Sequence, residues 1–373
     1  MTTPIEAVRL PDPYAYYAQL TAERPFAFDP AVGSWVASDA AAVRAVLTSS
    51  ALRVRPAAEP VPAGITGTPA GEVFGSLVRM TDGTLQRRLK EVIADALGRV
   101  DTAHAAALAG ERTRAYLKDG RPPFEELMFA VPAQVVAALC GLDEGADAEA
   151  ARLVGDFVQC IPASATPEQQ RAAALAAGRL QELLGPGIER GAEGTGLLAE
   201  LVRAARCADW PETAPLLANA VGFLSQTYDA TAGLIGNTLL ALAREGQRPT
   251  APDAFVREVV RHDAPVQNTR RFAAEPFRYG DAEVAPGEQV LVVLAAANRD
   301  PAANPDPHAF LPGRADPVVF TFGAAAHRCP GEDLATAVTC GVVGELLAAG
   351  FDPDGLPAEV AYRPLANARI PVL

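Results

Sequence analysis

The run Pro215 to Arg244 carries apolar or small residues at helical spacing, with no proline after its first position. At ~1.5 Å per residue such a run makes a helix roughly 45 Å long, which would cross the whole molecule. Other stretches join it. Tyr14 to Ala22, Asp39 to Leu47, Pro122 to Leu142, Ala146 to Ile161, Pro167 to Leu184 and Gly196 to Ala205 read as helices bounded by Gly, Asp and Pro signals. Gly185-Pro186-Gly187 is expected to end the fifth of these, and Pro56 to Gly75, rich in Pro, Gly and Ala, reads as an irregular loop. Strand character falls on Phe26 to Val36, around Gly33 and Trp35, and on Val284 to Leu294, a hairpin-like turn into a strand. The expected fold class is mainly α with small β-sheets. Neither an internal repeat nor a low-complexity linker divides the chain, so one domain over residues 1–373 is expected.

Composition narrows the function classes. Among 373 residues, 49% are hydrophobic and 21% charged, which places the chain with soluble globular proteins. The net charge of −13 argues against general affinity for nucleic acid or anionic membrane. Cys140, Cys160, Cys207, Cys329 and Cys340 are odd in number, widely spaced and lack a Cys-x-x-Cys pair, so neither a disulfide framework nor a zinc site is expected. His104, His262, His308 and His327 are too few and too scattered for a multi-histidine metal site. Met1 to Leu10 lacks a basic region followed by an apolar one, and no apolar run reaches the length that spans a bilayer. A cytoplasmic enzyme of bacterial type, working as a monomer without membrane or nucleic acid, is the expectation.

Chemistry concentrates in Phe322-Gly323-Ala324-Ala325-Ala326-His327-Arg328-Cys329-Pro330-Gly331. Glycine and small residues let the backbone turn tightly, and Pro330 with Gly331 leads into an apolar helix. A cysteine just before a helix start feels the positive end of the helix dipole, which favours thiolate over thiol. A thiolate so placed can bind iron axially, and its electron donation helps cleave an O–O bond. The alternative is an ordinary buried loop cysteine. The segment resembles the haem-binding loop of the cytochrome P450 family, Phe-Gly-x-Gly-x-His-x-Cys-x-Gly, matching at Phe322, Gly323, His327, Cys329 and Gly331. Ala325 stands at the second glycine, which implies a slightly shifted turn. The resemblance implies the cytochrome P450 fold, with one haem b (iron protoporphyrin IX) between the long helix and the helix after Cys329, and Cys329 thiolate as the iron's proximal ligand.

In that family the long helix carries Ala-Gly-x-Asp/Glu-Thr, where the acid and the alcohol deliver protons to bound oxygen. Here Thr231-Ala232-Gly233-Leu234-Ile235-Gly236-Asn237 is similar to many bacterial members, and counting back puts Asp229 at the acid position. Ala230 takes the threonine's place, while Gln226 and Thr227 replace Ala-Gly. Alanine offers no hydrogen bond. Thr231 is not a direct substitute, because one residue turns an α-helix by about 100°. Gln226 and Thr227, four and three residues earlier, share the face of Ala230. Three routes stay open: substrate or water completes a proton relay, Gln226 or Thr227 does so, or the chemistry uses peroxide or another haem-thiolate reaction. A fourth reading makes Gln226 and Thr227 packing residues turned away from haem.

Glu258 and Arg261 lie on adjacent turns of the helical stretch Phe255 to Arg261, where they can pair. The resemblance implies a buried structural cluster completed by Arg314 of Phe310-Leu311-Pro312-Gly313-Arg314. It also assigns propionate contacts to Arg271 and His327. Thr84 to Ile93 reads as a helix with basic residues on one side and Leu85, Leu89, Val92 and Ile93 on the other. There Gln86 and Lys90 stand at the family's propionate-binding His and Arg; Lys90 keeps a charge and Gln86 only a neutral hydrogen bond. A solvated basic face is the alternative, and Arg87, Arg88 and Arg99 offer a docking patch for an acidic redox partner. Candidate pocket walls are Phe223, Gln226, Thr227, Val266, Gln267 and Asn367. The implied activity is oxidation of an organic small molecule, by hydroxylation or oxidative coupling in secondary metabolism, with electrons from a ferredoxin and ferredoxin reductase. Alternatives are a peroxide-driven haem-thiolate enzyme and a haem-bearing module, for recruitment or carrier-protein binding, that has lost its chemistry.

Overall fold

Alanine- and leucine-rich segments with good caps become helix, and short β-branched segments become sheet. The computed structural model describes residues 2–117, 123–162, 164–357 and 359–373. They form two compact units, each discontinuous in sequence. The first takes the chain up to Ala57, Ala232–Cys329 and Val343–Leu373; the second takes Ala58–Thr231 and Pro330–Val342.

The first unit is built on a five-stranded sheet. Its strands are β1 (Phe26–Asp29), β2 (Ser34–Ala37), β3 (Leu52–Arg53), β4 (Thr269–Ala273) and β7 (Gln289–Val292), while β5 (Phe277–Tyr279) and β6 (Ala282–Val284) form a separate hairpin. The order is β1-β2-β7-β4-β3, with β2 and β7 parallel and the other neighbours antiparallel. Alternation along each strand gives the sheet two apolar faces. On one face Ala37, Leu52, Val290 and Val292 pack with Val43, Val46 and Leu47 of helix Ala40–Thr48. On the other, Val36 and Leu291 pack with Tyr14, Tyr17 and Leu20 of helix Tyr14–Glu23. Each fully buried side chain of this size contributes about 1.5–3 kcal/mol. Asp39 caps helix Ala40–Thr48 by accepting from the Ala42 amide at 2.7 Å, as a helix-starting aspartate should.

The second unit is almost wholly helical, with helices Pro69–Ser76, Gly83–Gly98, Thr102–Tyr116, Phe124–Leu139, Glu144–Val158, Pro167–Glu189 and Gly196–Cys207. It also holds residues 213–231 of helix Thr213–Glu245, whose 33 residues correspond to about 50 Å. At Gly341 a Cβ would lie 2.2 Å from the Ala106 carbonyl oxygen, so helix Glu332–Ala348 meets helix Thr102–Tyr116 backbone to backbone. No helix among the described residues is long and apolar enough to cross a membrane.

Several expectations need correction. The stretch expected as a loop contains a 3₁₀ turn, Ala63–Ile65, and helix Pro69–Ser76, which starts on Thr68 as cap and proline at its first position. Helix Pro167–Glu189 runs through Pro186 instead of stopping at Gly185. Helix Thr102–Tyr116, capped by Asp101, was not expected at all. The helix expected from Pro122 runs Phe124–Leu139, and Pro122 itself lies outside the described residues. On helix Gly83–Gly98, Leu89, Val92 and Ile93 are buried as expected, but Leu85 is 59% exposed.

Candidate active site

In the first unit the cysteine loop is held by its own backbone. The Cys329 amide donates to the Phe322 carbonyl at 2.7 Å, Gly323 donates to Phe320 at 2.7 Å, and Arg328 closes a turn on Ala325 at 3.1 Å. Gly323 sits at φ +72°, where a Cβ would also approach the His327 carbonyl to 3.1 Å. Ala325, at the position of the family's second glycine, holds φ +51°, in the left-handed region that favours glycine. Cys329 is exposed and His327 half-buried at the top of this turn. The two buried cysteines differ: burial pushes the Cys140 thiol up to about 12 and that of Cys160 up to about 11.

Beneath the loop lies a buried polar network. Arg261, fully buried, donates through Nη2 and Nε to Glu258 at 2.6 and 2.9 Å, in the bidentate geometry that makes arginine–carboxylate pairs strong. Its remaining donors reach the carbonyls of Pro307 at 2.8 Å, Ala309 at 3.1 Å and Asn298 at 3.3 Å. Glu258 also accepts from the Leu311 amide at 2.9 Å, and Arg314 Nε lies 3.6 Å away. The tie to the loop is Asn298, which accepts from the Phe320 amide and donates to the Thr321 hydroxyl, both at 2.7 Å; Thr321 in turn donates to the Val260 carbonyl at 2.7 Å. Glu258, Arg261 and Arg314 are thus brought together, and Asn298 and Thr321 complete the connection. Removing one partner of such a pair leaves a buried charge uncompensated and costs about 3–5 kcal/mol.

Elsewhere in this unit Arg271, on β4, is 5% exposed and donates to the Arg270 carbonyl at 2.9 Å. Val266 and Asn367 meet at a short bridge, Val266 opposite Ala368 and the Gln267 amide on the Asn367 carbonyl at 2.8 Å. Gln267 itself is fully buried, its side-chain amide donating to the Ala264 carbonyl at 2.7 Å, so it presents no amide to open space. Sequence reasoning also missed a charged cluster joining distant segments. Asp263 accepts from the Tyr14 hydroxyl at 2.7 Å and Arg369 Nε at 2.9 Å, while Arg369 donates to Val8, Leu10 and Pro11 carbonyls. Burial opposes the Asp263 charge, yet Arg369, the Tyr14 hydroxyl, Arg244 and Arg299 hold its carboxyl below the usual value.

In the second unit, residues 226–230 form a half-buried stretch on a helix otherwise buried on both sides of them. Gln226 Nε2 donates to the Gly222 carbonyl at 3.0 Å, and the Thr227 hydroxyl donates to the Phe223 carbonyl at 2.7 Å. Both side chains therefore commit a donor to their own helix. Phe223 is buried, Asp229 and Ala230 are half-buried, and Thr231 is 1% exposed. Tyr228, which the sequence did not single out, packs at a tilt of 43° against Phe129 with ring centres 4.9 Å apart and reaches Gly155, where a Cβ would lie 2.7 Å from its hydroxyl. On helix Gly83–Gly98, Gln86 is buried and Lys90 half-buried, one turn apart. Arg99 is engaged by Asp95 at 3.2 Å and Glu200 at 3.8 Å, Arg88 lies over Trp210, and Arg87 donates to the Thr84 hydroxyl at 3.1 Å; all three are exposed.

Comparison with known proteins places this geometry. A family model described as "Cytochrome P450" matches residues 251–347, the span that holds the Glu258–Arg261–Arg314 network and the Cys329 loop. 6-Deoxyerythronolide B hydroxylase of Saccharopolyspora erythraea is 32% identical over 214 residues, 55% of this chain and 52% of that protein. Cytochrome P450 monooxygenase PikC of Streptomyces venezuelae is 34% identical over 229 residues, 58% of this chain and 53% of that protein. The chain spans about half the length of the curated relatives it matches. The fold matches the crystal structure of CalO2 with a TM-score of 0.83 at 22% identity, covering 97% of this chain and 94% of that one.

The residues present fit the family's haem b. The Cys329 thiol stays exposed at a turn fixed by backbone bonds, just ahead of a helix N-terminus that favours thiolate, and a buried ion cluster anchors the approach to that turn. Loop, network and the match of residues 251–347 agree in marking this region as similar to the cytochrome P450 family, whose cofactor is haem b.

Proposed function

We propose that this chain is a haem-thiolate monooxygenase that oxidises an organic small molecule in secondary metabolism, by hydroxylation or oxidative coupling. The observation that carries this reading is Cys329, exposed on a loop whose support runs through Asn298 and Thr321 to the buried Glu258–Arg261 pair. The relatives named as a hydroxylase and a monooxygenase support it. Bound haem would supply oxygen activation. Cys329 would hold its iron, with Arg271, His327 and Lys90 offering cationic or protonatable groups to the propionates and Gln86 a neutral donor. Phe322, Gly323 and Gly331 would shape the turn around the sulfur. Electrons would come from a ferredoxin and its reductase, with Arg87 and Arg88 as the basic contacts on a protein of net charge −13.

Proton supply is where this chain departs from the motif of the family it resembles. Asp229 retains the acid, but Ala230 offers no hydrogen bond, and Thr227 spends its hydroxyl proton on the Phe223 carbonyl. Thr227 therefore offers lone pairs, and Gln226 its oxygen and one remaining N–H. These groups, with Phe223 on the same helix, would meet the substrate. The engaged donors also favour a second reading, a haem-thiolate catalyst that takes hydrogen peroxide directly.

Reconstitution tests both. With haem supplied, the native protein should show thiolate-type absorption in its reduced carbon monoxide complex, and Cys329→Ser should lose that band. Retention of the band in the variant would remove Cys329 as ligand. Strict dependence of product on an electron donor and O₂ supports the monooxygenase; equal turnover with hydrogen peroxide alone supports the second reading.

A further inference from the structure

The first unit has a cavity of about 350 Å³ to which the Cys329 loop contributes no residue. That volume is at the small end of ligand pockets, which run from about 300 to 1,000 Å³. Phe310, Val360, Ala241 and the rings of Tyr14 and Tyr362 give it apolar walls. Its charges are unevenly matched. The guanidiniums of Arg244, Arg299 and Arg369 line it together with one buried carboxylate, Asp263. Asp263 Oδ1 already accepts from the Tyr14 hydroxyl and from Arg369 Nε, and Arg369 spends Nη1 and Nη2 on backbone carbonyls. Arg244 comes only to 3.5 Å from Asp263 Oδ2. Half-buried Arg299 donates to the His262 carbonyl at 2.7 Å and to its Nδ1 at 2.9 Å, lies 3.4 Å from the Tyr14 ring centre, and pairs with no carboxylate among the described residues. The charged lining residues on the exposed side are Arg244 and three carboxylates, Asp12, Glu245 and Glu359.

We propose that this cavity binds a small zwitterion with an apolar body, an amino-acid-like molecule whose carboxylate meets Arg244 and Arg299 and whose ammonium group meets Glu245 and Glu359. A guanidinium drawn out of water without a carboxylate is costly to keep charged, and a ligand carboxylate offers the two oxygens that match its planar fork. A plain anion would gain at the two arginines and be repelled by the carboxylates of the exposed side; a plain cation would meet the reverse. A zwitterion satisfies both signs at once. Those same carboxylates turn away polyanions such as nucleotides. The cationic partner is not a metal ion, because no group of three or more His, Cys, Asp or Glu side chains among the described residues could hold one. The site goes beyond the haem-thiolate reading and does not depend on it.

The test titrates full-length, haem-loaded protein by calorimetry, with imidazole saturating the iron so that an amine probe cannot report binding at haem. The probes are L-phenylalanine, which carries both charges, 3-phenylpropionate, which keeps only the carboxylate, and phenethylamine, which keeps only the ammonium group. Phenylalanine should bind saturably with a Kd below about 1 mM, and about tenfold tighter than either of the others. Arg244→Gln should weaken phenylalanine and phenylpropionate about tenfold and leave phenethylamine unweakened. Glu245→Gln combined with Glu359→Gln should weaken phenylalanine and phenethylamine and leave phenylpropionate unweakened. All three substituted residues are exposed, and an unchanged circular dichroism spectrum verifies that the variants keep the fold. Absence of saturable phenylalanine binding, a single-charge probe that binds as tightly as phenylalanine, or phenylalanine binding that Arg244→Gln leaves at its native strength would each overturn the proposal.

Discussion

Ala325 carries a cost that glycine would not. Its φ of +51° places a Cβ in the left-handed region, which costs an L-residue about 1–2 kcal/mol. The loop accepts this because Gly323, the amide of Cys329 and the turn at Arg328 leave the backbone no other path. Ala325→Gly should relieve the strain, and glycine's larger unfolded-state entropy should return about 0.4–1 kcal/mol of it. The expected result is a net gain of about 0.5–1 kcal/mol in urea unfolding, with the Cys329 environment unchanged. A loss of stability would mean that the alanine is not strained at this position. The substitution was visible in the sequence; the choice between shifting the turn and straining the alanine was not, since that depends on the bonds on either side.

Among elements, the contact between helices Glu144–Val158 and Thr213–Glu245 turns on Gly155. A Cβ there would meet the Tyr228 hydroxyl at 2.7 Å and its Cζ at 3.3 Å, so it is the hydroxyl that forbids a side chain. Gly155→Ala should destabilise by about 1–3 kcal/mol, as overpacking does. In a Tyr228→Phe background the same change should cost less than about 0.5 kcal/mol, apart from any gain in helix propensity. A thermal-unfolding double-mutant cycle with no coupling would remove Tyr228 as the constraint. Neither residue could have been paired from sequence. Long periodic helices were legible because periodicity is local: the run Pro215 to Arg244, without proline after its first position, announces itself. Thr68-Pro69 announced helix Pro69–Ser76 through its cap but was masked by surrounding Pro and Gly. Thr102–Tyr116 hid because its buried positions are Ala, Gly and Thr, which give little apolar contrast. Glu258, Arg261, Arg314 and Cys329 were legible as an ordered set. Asn298, Thr321 and Asp263 were not, because their partners lie tens to hundreds of residues away in the chain.

For the molecule as a whole, the groups with displaced protonation predict how it responds to acid. His262 Nε2 lies 2.9 Å from the His308 carbonyl, which can only accept, and Nδ1 faces Arg299 Nη2 at 2.9 Å. Arg299 can only donate, so Nδ1 must accept and Nε2 must carry the proton: the neutral tautomer is fixed. Burial, then the charge of Arg299, lowers its pKa from 6.5 to about 4. Between those values the unfolded chain binds a proton that the folded chain refuses. Stability from this residue is therefore complete above about pH 6.5 and drains away as pH falls toward 4. At about 1.36 kcal/mol per unit, the loss by pH 4.5 is about 2 kcal/mol after an allowance for solvent screening. Asp263 acts in the same direction but lower down, since its folded pKa lies below 3.8 and its contribution persists until that range is reached. His262→Gln separates the two. The amide oxygen can accept from Arg299 and its N–H can donate to His308, so the bonds survive while the titration is lost. Urea unfolding at pH 7.0 and pH 4.5 should show the native protein losing about 2 kcal/mol more than His262→Gln. General changes in a net charge of −13 are common to both proteins and cancel in that difference. Parallel losses in the two proteins would mean that His262 is protonated in the fold at its ordinary pH, and that Arg299 does not dictate its tautomer.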